Sequence, residues 1–446
     1  MKKKTIQLSD HFTYQKIGLF CVSPIIMMVF VSIYGVVDGL FVSNYVGKTS
    51  FAAINLVMPF IMILGGIGFM IGTGGSALVA KTLGEGKKDL ANRYFTMMVY
   101  LAIICGVVCA VIGFVFMRPI SYLLGATEDM IEDCVTYGRI TMIFLTAFSL
   151  QNVFQTFLTT AEKPKLGLTF TVVAGVSNMV LDYLFIARFH WGVAGAAFAT
   201  GISEFFGAFL PLLYFLEKND SLLHLTHTRL EGRPLVKACF NGSSELMSNI
   251  SSSIVSMLYN FQLLRYAGED GVAAYGVLMY IQFIFTAMFI GYTVGISPVV
   301  SYHYGAGNTE ELKSLHKKSI LLNMVAGVLM MVLAFTMAGP LAKLFVGYDR
   351  TLYGMTRHAF MIFSFVFILR GFNIFASAFF TALNNGGVSA AISFLRTLVF
   401  QTLSVLILPL LFGLEGIWWA VTVAEFFAFV ISVIFLAAKR KTYHYA

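Results

Sequence analysis

A chain of 446 residues that is 58% apolar and only 12% Asp, Glu, Lys and Arg cannot clothe a water-facing surface in charge; an ordinary globular chain carries about 25%. A mean hydropathy of +0.82 excludes intrinsic disorder and a coiled coil, and five cysteines exclude a secreted disulfide scaffold. The net charge of +8 points to no nucleic-acid partner, because the cations sit in loops between apolar segments.

A membrane helix needs about 20 apolar residues to cross about 30 Å of hydrocarbon. Twelve windows qualify: 17–42, 52–80, 94–117, 136–160, 166–188, 193–217, 237–264, 273–302, 319–338, 356–382, 388–411 and 415–438. Lys2 to Lys4 before Ile17 to Tyr34 look like a signal peptide, but the apolar stretch is too long and no small-residue cleavage site follows. The first window holds Pro24, Tyr34 and Asp38, and Pro24 predicts a bend because it removes a helix hydrogen bond. The second is rich in glycine, from Gly65 to Gly75, and reads as a close-packing helix and not as a phosphate loop. The fifth carries Asn178 and Asp182, and the sixth Thr200 and Glu204. Past the polar stretch before the seventh window come Glu245, then Arg370 in the tenth, Arg396 in the eleventh and Glu425 in the twelfth. Cys21, Cys105, Cys109 and Cys239 read as small core residues. His303 and His358 lie at span ends, where water is the expected partner.

An even number of spans puts both termini on one side. With cytoplasmic termini, twenty of the thirty basic residues fall inside, among them Lys2 to Lys4, and eight fall outside, including Lys343, Arg350 and Arg357. The positive-inside rule therefore places the termini in the cytoplasm of a multi-pass protein of the cell (plasma or inner) membrane.

The chain repeats itself at a shift of 221 residues. Ser23 meets Ser244, Gly47 meets Gly268, Gly74 meets Gly295, Gly84 and Gly86 meet Gly305 and Gly307, Pro119 meets Pro340, and Glu204 to Phe206 meet Glu425 to Phe427. Six spans separate equivalents, so the copies are parallel. The predicted fold is an all-α polytopic membrane protein with twelve transmembrane helices in two pseudo-symmetric six-helix lobes. The lobes are 1–217 and 236–446, joined by a cytoplasmic linker at 218–235. Transporters place their cavity at such a repeat interface.

An ionisable side chain at bilayer depth needs a partner or a wet cavity. Asn178 and Asp182 are one turn apart in the fifth span, as Tyr34 and Asp38 are in the first, so each pair shares a helix face. Depth counting puts Asp38, Asp182 and Thr200 at one level near the outside. Two carboxylates in an apolar pocket cannot both ionise cheaply, which makes a proton site; if both stay charged they attract Na⁺ or an organic cation, with Asn178 and Thr200 completing the coordination. Glu204 and Glu425 are expected to hold helices within each lobe. Glu245, Arg370 and Arg396 form a second-lobe polar group whose pairing is open. The many Phe, Tyr and Met side chains suit adaptable binding of organic cations.

With VVDGLFVSNYVG in span 1, KTLGEGKK after span 2 and YHYGAGN after span 8, NMVLDYLFI in span 5 and GVAGAAFATGISE in span 6, the chain resembles the multidrug and toxic compound extrusion (MATE) transporters, and among them the MepA-like bacterial branch. The resemblance implies a secondary active multidrug efflux transporter that exports small organic cations by antiport with H⁺ or Na⁺, with no cofactor and no catalytic residue. It implies a cation-coupling site at Asp38, Asn178, Asp182 and Thr200, and a bending role for Pro24. Some members use a Glu deep in span 7 and an Asp in span 10; here Ser252 stands near the first position, Glu245 lies about two turns early, and span 10 has Arg370 and Asn373 but no acid. The protein is expected to be a monomer surrounded by lipid. A lipid-linked oligosaccharide flippase of the same superfamily is the alternative, and it would need a strongly basic cavity built from Arg370 and Arg396. A membrane-embedded enzyme lacks support, since no HExxH or Ser/His/Asp arrangement is present.

Overall fold

The computed structural model describes residues 6–445, apart from the Lys48 side chain, so Lys2 to Lys4 lie outside the described residues. Among the described residues twelve helices cross the molecule. In the first lobe they are α1 (Tyr14–Tyr45), α2 (Lys48–Gly84), α3 (Lys88–Leu123), α4 (Ile131–Thr160), α5 (Pro164–Arg188) and α6 (Gly192–Leu216). Residues 217–231 then lead to α7 (232–267), α8 (269–305), α9 (Thr309–Val346), α10 (Arg350–Ala382), α11 (Gly386–Phe412) and α12 (Leu414–Tyr443). Hydrocarbon offers no partner for a backbone amide, so a spanning segment must close its hydrogen bonds on itself as a helix. Exposed apolar side chains confirm what solvent these helices meet: on α3, Ile104, Val107, Val108, Val111, Ile112 and Val115 form a bare stripe at helical spacing.

The turns carry the repeat. Gly268 separates α7 from α8 with φ 64° and ψ −153°, a conformation closed to L side chains, and its equivalent Gly47 has φ 115° between α1 and α2. Gly86 and Gly307, and Gly192 and Gly413, are further repeat-related pairs with positive φ.

Glycines also set how closely the lobes meet. A Cβ on Gly74 would lie 2.0 Å from the Ala238 carbonyl oxygen, and one on its equivalent Gly295 would lie 2.8 Å from Cys21 Sγ. A Cβ on Gly84 would lie 2.0 Å from the Tyr302 carbonyl oxygen, and one on Gly305 the same distance from that of Lys81. These mirror-image contacts, with Gly291 against Pro24 and Ile25, hold α1 and α2 against α7 and α8 on the half of the molecule nearer the termini.

On that same face the segment before α1 ties the lobes together. Leu8 donates its N–H to Glu162 Oε1 in the first lobe at 2.6 Å, while Phe12 donates to Glu311 Oε1 in the second at 2.8 Å. His11 Nδ1 reaches Glu311 Oε2 at 2.5 Å, and Lys318 Nζ donates to the Phe12 carbonyl at 2.7 Å. Leu8 and Phe12 are fully buried.

Two local expectations change, and one break falls where none was expected. α1 runs as one continuous helix with Pro24 inside it, while a 47° break falls in α10 at Phe365, where no proline stands. His358 bonds Glu415 Oε1 at 2.7 Å instead of water, because the start of α12 brings the carboxylate alongside α10. His303 is buried under the Phe12 ring, 6.5 Å away between centroids, and not at a wetted span end. All five cysteines are free, with Cys21 and Cys134 buried.

Candidate functional site: an acidic cluster in the first lobe

Gly175, Asn178 and Asp182 follow one another on a single face of α5, at i, i+3 and i+7. A Cβ on Gly175 would lie 2.5 Å from Phe30 and 2.7 Å from Tyr34, so only a glycine admits α1 this closely. The approach carries Asp38, one turn beyond Tyr34, onto Asp182, and the two carboxyl groups lie within hydrogen-bonding reach of each other. α-Helical geometry in α5 ends at Asp182, and the next six residues, Tyr183–Arg188, wind as a π-helix. Such widened turns recur where a helix must aim a side chain at a site.

α6 adds Thr200 and, one turn on, Glu204, which neighbours Asp38 and Tyr34. α4 adds Gln151 beside Tyr34 and a buried Tyr137 near all three acids. Asp182 and Asn178 are buried, while Asp38, Thr200 and Glu204 are half-buried.

Oxygen atoms dominate the centre and lack protein donors. Asp38 Oδ1, Asn178 Oδ1, both Asp182 carboxylate oxygens, Thr200 Oγ1 and Glu204 Oε2 are all buried without a hydrogen-bond partner. Buried acceptors without donors are costly, and two ionised carboxylates side by side repel each other strongly where solvent is scarce. A proton between the acids, or a hard cation among the oxygens, removes both penalties. Of the residues singled out in the sequence, Asp38 and Asp182 thus stand beside each other, Asn178 shares the α5 face of Asp182, and Thr200 lies one turn before Glu204 on α6. Glu204 departs from its expected structural part: among the described residues it makes no ion pair and no helix-bridging bond, and it joins the acids. Gly175, Gln151 and Tyr137 were missed, although Gly175 announces itself by sharing the Asn178 and Asp182 face.

The second-lobe polar group is arranged differently. Glu425 Oε1 accepts from Arg370 Nε at 3.1 Å and from Arg396 Nε at 3.2 Å, and Asn373 Nδ2 donates to Glu425 Oε2 at 2.7 Å. Arg370 also reaches Thr286 Oγ1 at 3.3 Å. Glu425 therefore does hold α10, α11 and α12 together. Glu245 is half-buried on α7, near enough to Arg396 to feel its charge but not bonded to it. No cluster of three or more His, Cys, Asp and Glu able to hold a metal occurs among the described residues.

Known proteins place this architecture. The multidrug export protein MepA of Staphylococcus saprophyticus is 24% identical over 396 residues, covering 88% of this chain and 86% of its own. The protein of the same name from Staphylococcus aureus strain MRSA252 is 22% identical over the same coverage. Among solved structures, the outward-facing conformation of a multidrug resistance MATE family transporter of the MOP superfamily superposes with a TM-score of 0.91 at 23% identity, over 99% of this chain and 100% of that one. A MOP superfamily transporter from Pyrococcus furiosus, whose binding pocket is of reverse polarity, gives 0.91 at 22% identity over 99% of each chain. The model of the MatE family matches twice, at residues 24–184 and 246–406, one copy per lobe. Two copies of one family unit, one in each six-helix lobe and together spanning most of the sequence, make this chain a member of the MatE family.

Proposed function

We propose that the protein is a secondary active multidrug exporter that exchanges organic cations for H⁺ or Na⁺ by alternating access of its two lobes. The observation that carries the reading is the set of six partnerless oxygens on Asp38, Asn178, Asp182, Thr200 and Glu204, with no cationic side chain among them. An all-oxygen donor set suits a proton or a hard cation such as Na⁺, and a carboxylate pair attracts an organic ammonium as well. Relatives named multidrug export proteins support the substrate class.

In this mechanism the drug loads from the cytoplasm, and H⁺ or Na⁺ arriving from outside neutralises Asp38 and Asp182 and releases it. Each charge returned across 100 mV supplies about 2.3 kcal/mol. Closure on the termini side, through Gly74, Gly84, Gly291, Gly295 and Gly305, belongs to the state that exposes the acids outward; Pro24, whose carbonyl faces Gly291, is the point at which α1 bends in the return stroke. We place both termini in the cytoplasm of a cell-membrane monomer that needs no cofactor and performs no catalysis. The flippase reading asks for free arginines in a basic cavity, whereas Arg370 and Arg396 are bonded to Glu425.

Efflux of a fluorescent aromatic cation from proteoliposomes tests the reading, first under an imposed pH gradient and then under a Na⁺ gradient at clamped pH. Asp38→Asn is expected to abolish gradient-driven efflux with normal expression, and undiminished efflux would overturn the assignment.

A further inference from the structure

Between α9 and α10, at the end away from the termini, lies a cavity of about 610 Å³ lined by Phe335, Gly339, Lys343, Tyr353, Arg357 and Met361. A Cβ on Gly339 would sit 3.6 Å from the Tyr353 hydroxyl and 3.8 Å from Arg357 Nε, so the glycine opens the notch these groups face. Among the described residues neither Lys343 nor Arg357 makes an ion pair. The nearby acids are committed elsewhere: Asp349 caps α10 by accepting from Thr351 and Leu352, and Glu415 bonds His358.

The first lobe differs at the same place. At the repeat shift Gly339 corresponds to Arg118 and Tyr353 to Glu132, and those two bridge α3 and α4 with a salt bridge of 2.7 Å. The second lobe has exchanged that ion pair for a glycine notch with two cations outside any ion pair among the described residues.

What would occupy it follows from the neighbouring surface. Leu321, Val325, Val328, Val332 and Phe335 are exposed at i, i+4, i+7, i+11 and i+14, an apolar stripe along α9 that leads to Lys343. From Leu321 to Lys343 is about 33 Å at helical rise, the thickness of the hydrocarbon layer. The cations thus stand at headgroup depth above a lipid-facing stripe.

We infer that this cleft is a binding site for one anionic phospholipid, its phosphate between Lys343 and Arg357 and its chains along the α9 stripe. The site is separate from the acidic cluster and independent of the proposed transport reaction.

The full chain in detergent, titrated with phosphatidylglycerol, phosphatidylcholine of the same chains, or inorganic phosphate, tests it by the thermal unfolding midpoint. Phosphatidylglycerol is expected to raise the midpoint, and the K343Q/R357Q variant to need about thirtyfold more of it. The G339R/Y353E variant, which installs the first-lobe salt bridge, should lose the response while folding normally, and it decides the matter if the first variant is unstable. An unchanged response in G339R/Y353E, an equal response to phosphatidylcholine, or an equal response to inorganic phosphate would each overturn the proposal.

Discussion

In the second lobe, Glu425 is enclosed by Arg370, Arg396 and Asn373 and welds three helices. At the matching place in the first lobe, Glu204 has Asp38 and Tyr34 for neighbours and no cation. The shift of 221 residues shows how one framework came to hold opposite electrostatics. Gly175, which lets α1 approach α5, becomes Arg396; Ser149 becomes Arg370. Asp38, Asn178, Asp182 and Thr200 become Tyr259, Val399, Leu403 and Val421. Tyr259 is buried and stacked on Tyr275 with centroids 5.0 Å apart, so an aromatic pair stands where the first lobe has Asp38. Duplication preserved the backbone, and a few inward positions divided the labour: one lobe keeps uncompensated charge, the other neutralises it.

The harshest way to break this comparison is to remove each glutamate in turn. Glu425→Gln strands the buried Arg370 guanidinium and leaves the partly buried Arg396 without its acid, and breaking such a pair costs about 3–5 kcal/mol; size-exclusion profiles in detergent should show loss of folded protein. Glu204→Gln removes a charge that has no partner, so it should fold at least as well as the parent while altering the pH profile of efflux. Equal stability losses in the two variants would dissolve the contrast.

A milder change sharpens it. Gly175→Val pushes Phe30 and Tyr34 away from α5, at a cost of about 1–3 kcal/mol for overpacking, and should weaken coupling by separating Asp38 from Asp182. Cation-dependent efflux measured beside the melting temperature would show transport failing before the fold does.

The smallest effect is expected outside the membrane. Lys163 lies 2.9 Å from Asp220 and holds its carboxyl below the usual carboxylate range. A lowered group stabilises the fold above its unfolded pKa, and that contribution fades as pH falls through the folded value. Because Asp220 is 85% exposed, solvent screens the pair, and Asp220→Asn should leave the melting temperature unchanged from about pH 5 to 8.

Twelve spans were legible because hydrocarbon thickness and backbone satisfaction leave a hydropathic sequence few options. The approach of Asp38 to Asp182 was legible too, since helix periodicity and depth counting suffice. Three-dimensional partners were not. The repeat made Glu204 and Glu425 look equivalent, and only the packing of α10 and α11 shows that Arg370 and Arg396 reach one and not the other. The π-helical turn after Asp182 and the break at Phe365 carry no proline or glycine to announce them. Gln151 went unread because an amide inside an apolar span has no periodic signal of its own.

The bonds made by Leu8 and Phe12 reach carboxylates on different lobes, like a buckle fastened to both halves of a hinge. A rigid rotation that parts the lobes on that face cannot keep both fastenings, so the segment carrying Leu8 and Phe12 must let go of Glu162 or Glu311 at each opening. A bulky fusion placed against this segment, or its removal, would therefore be felt in how often the halves separate and not in how tightly the acids hold their ion.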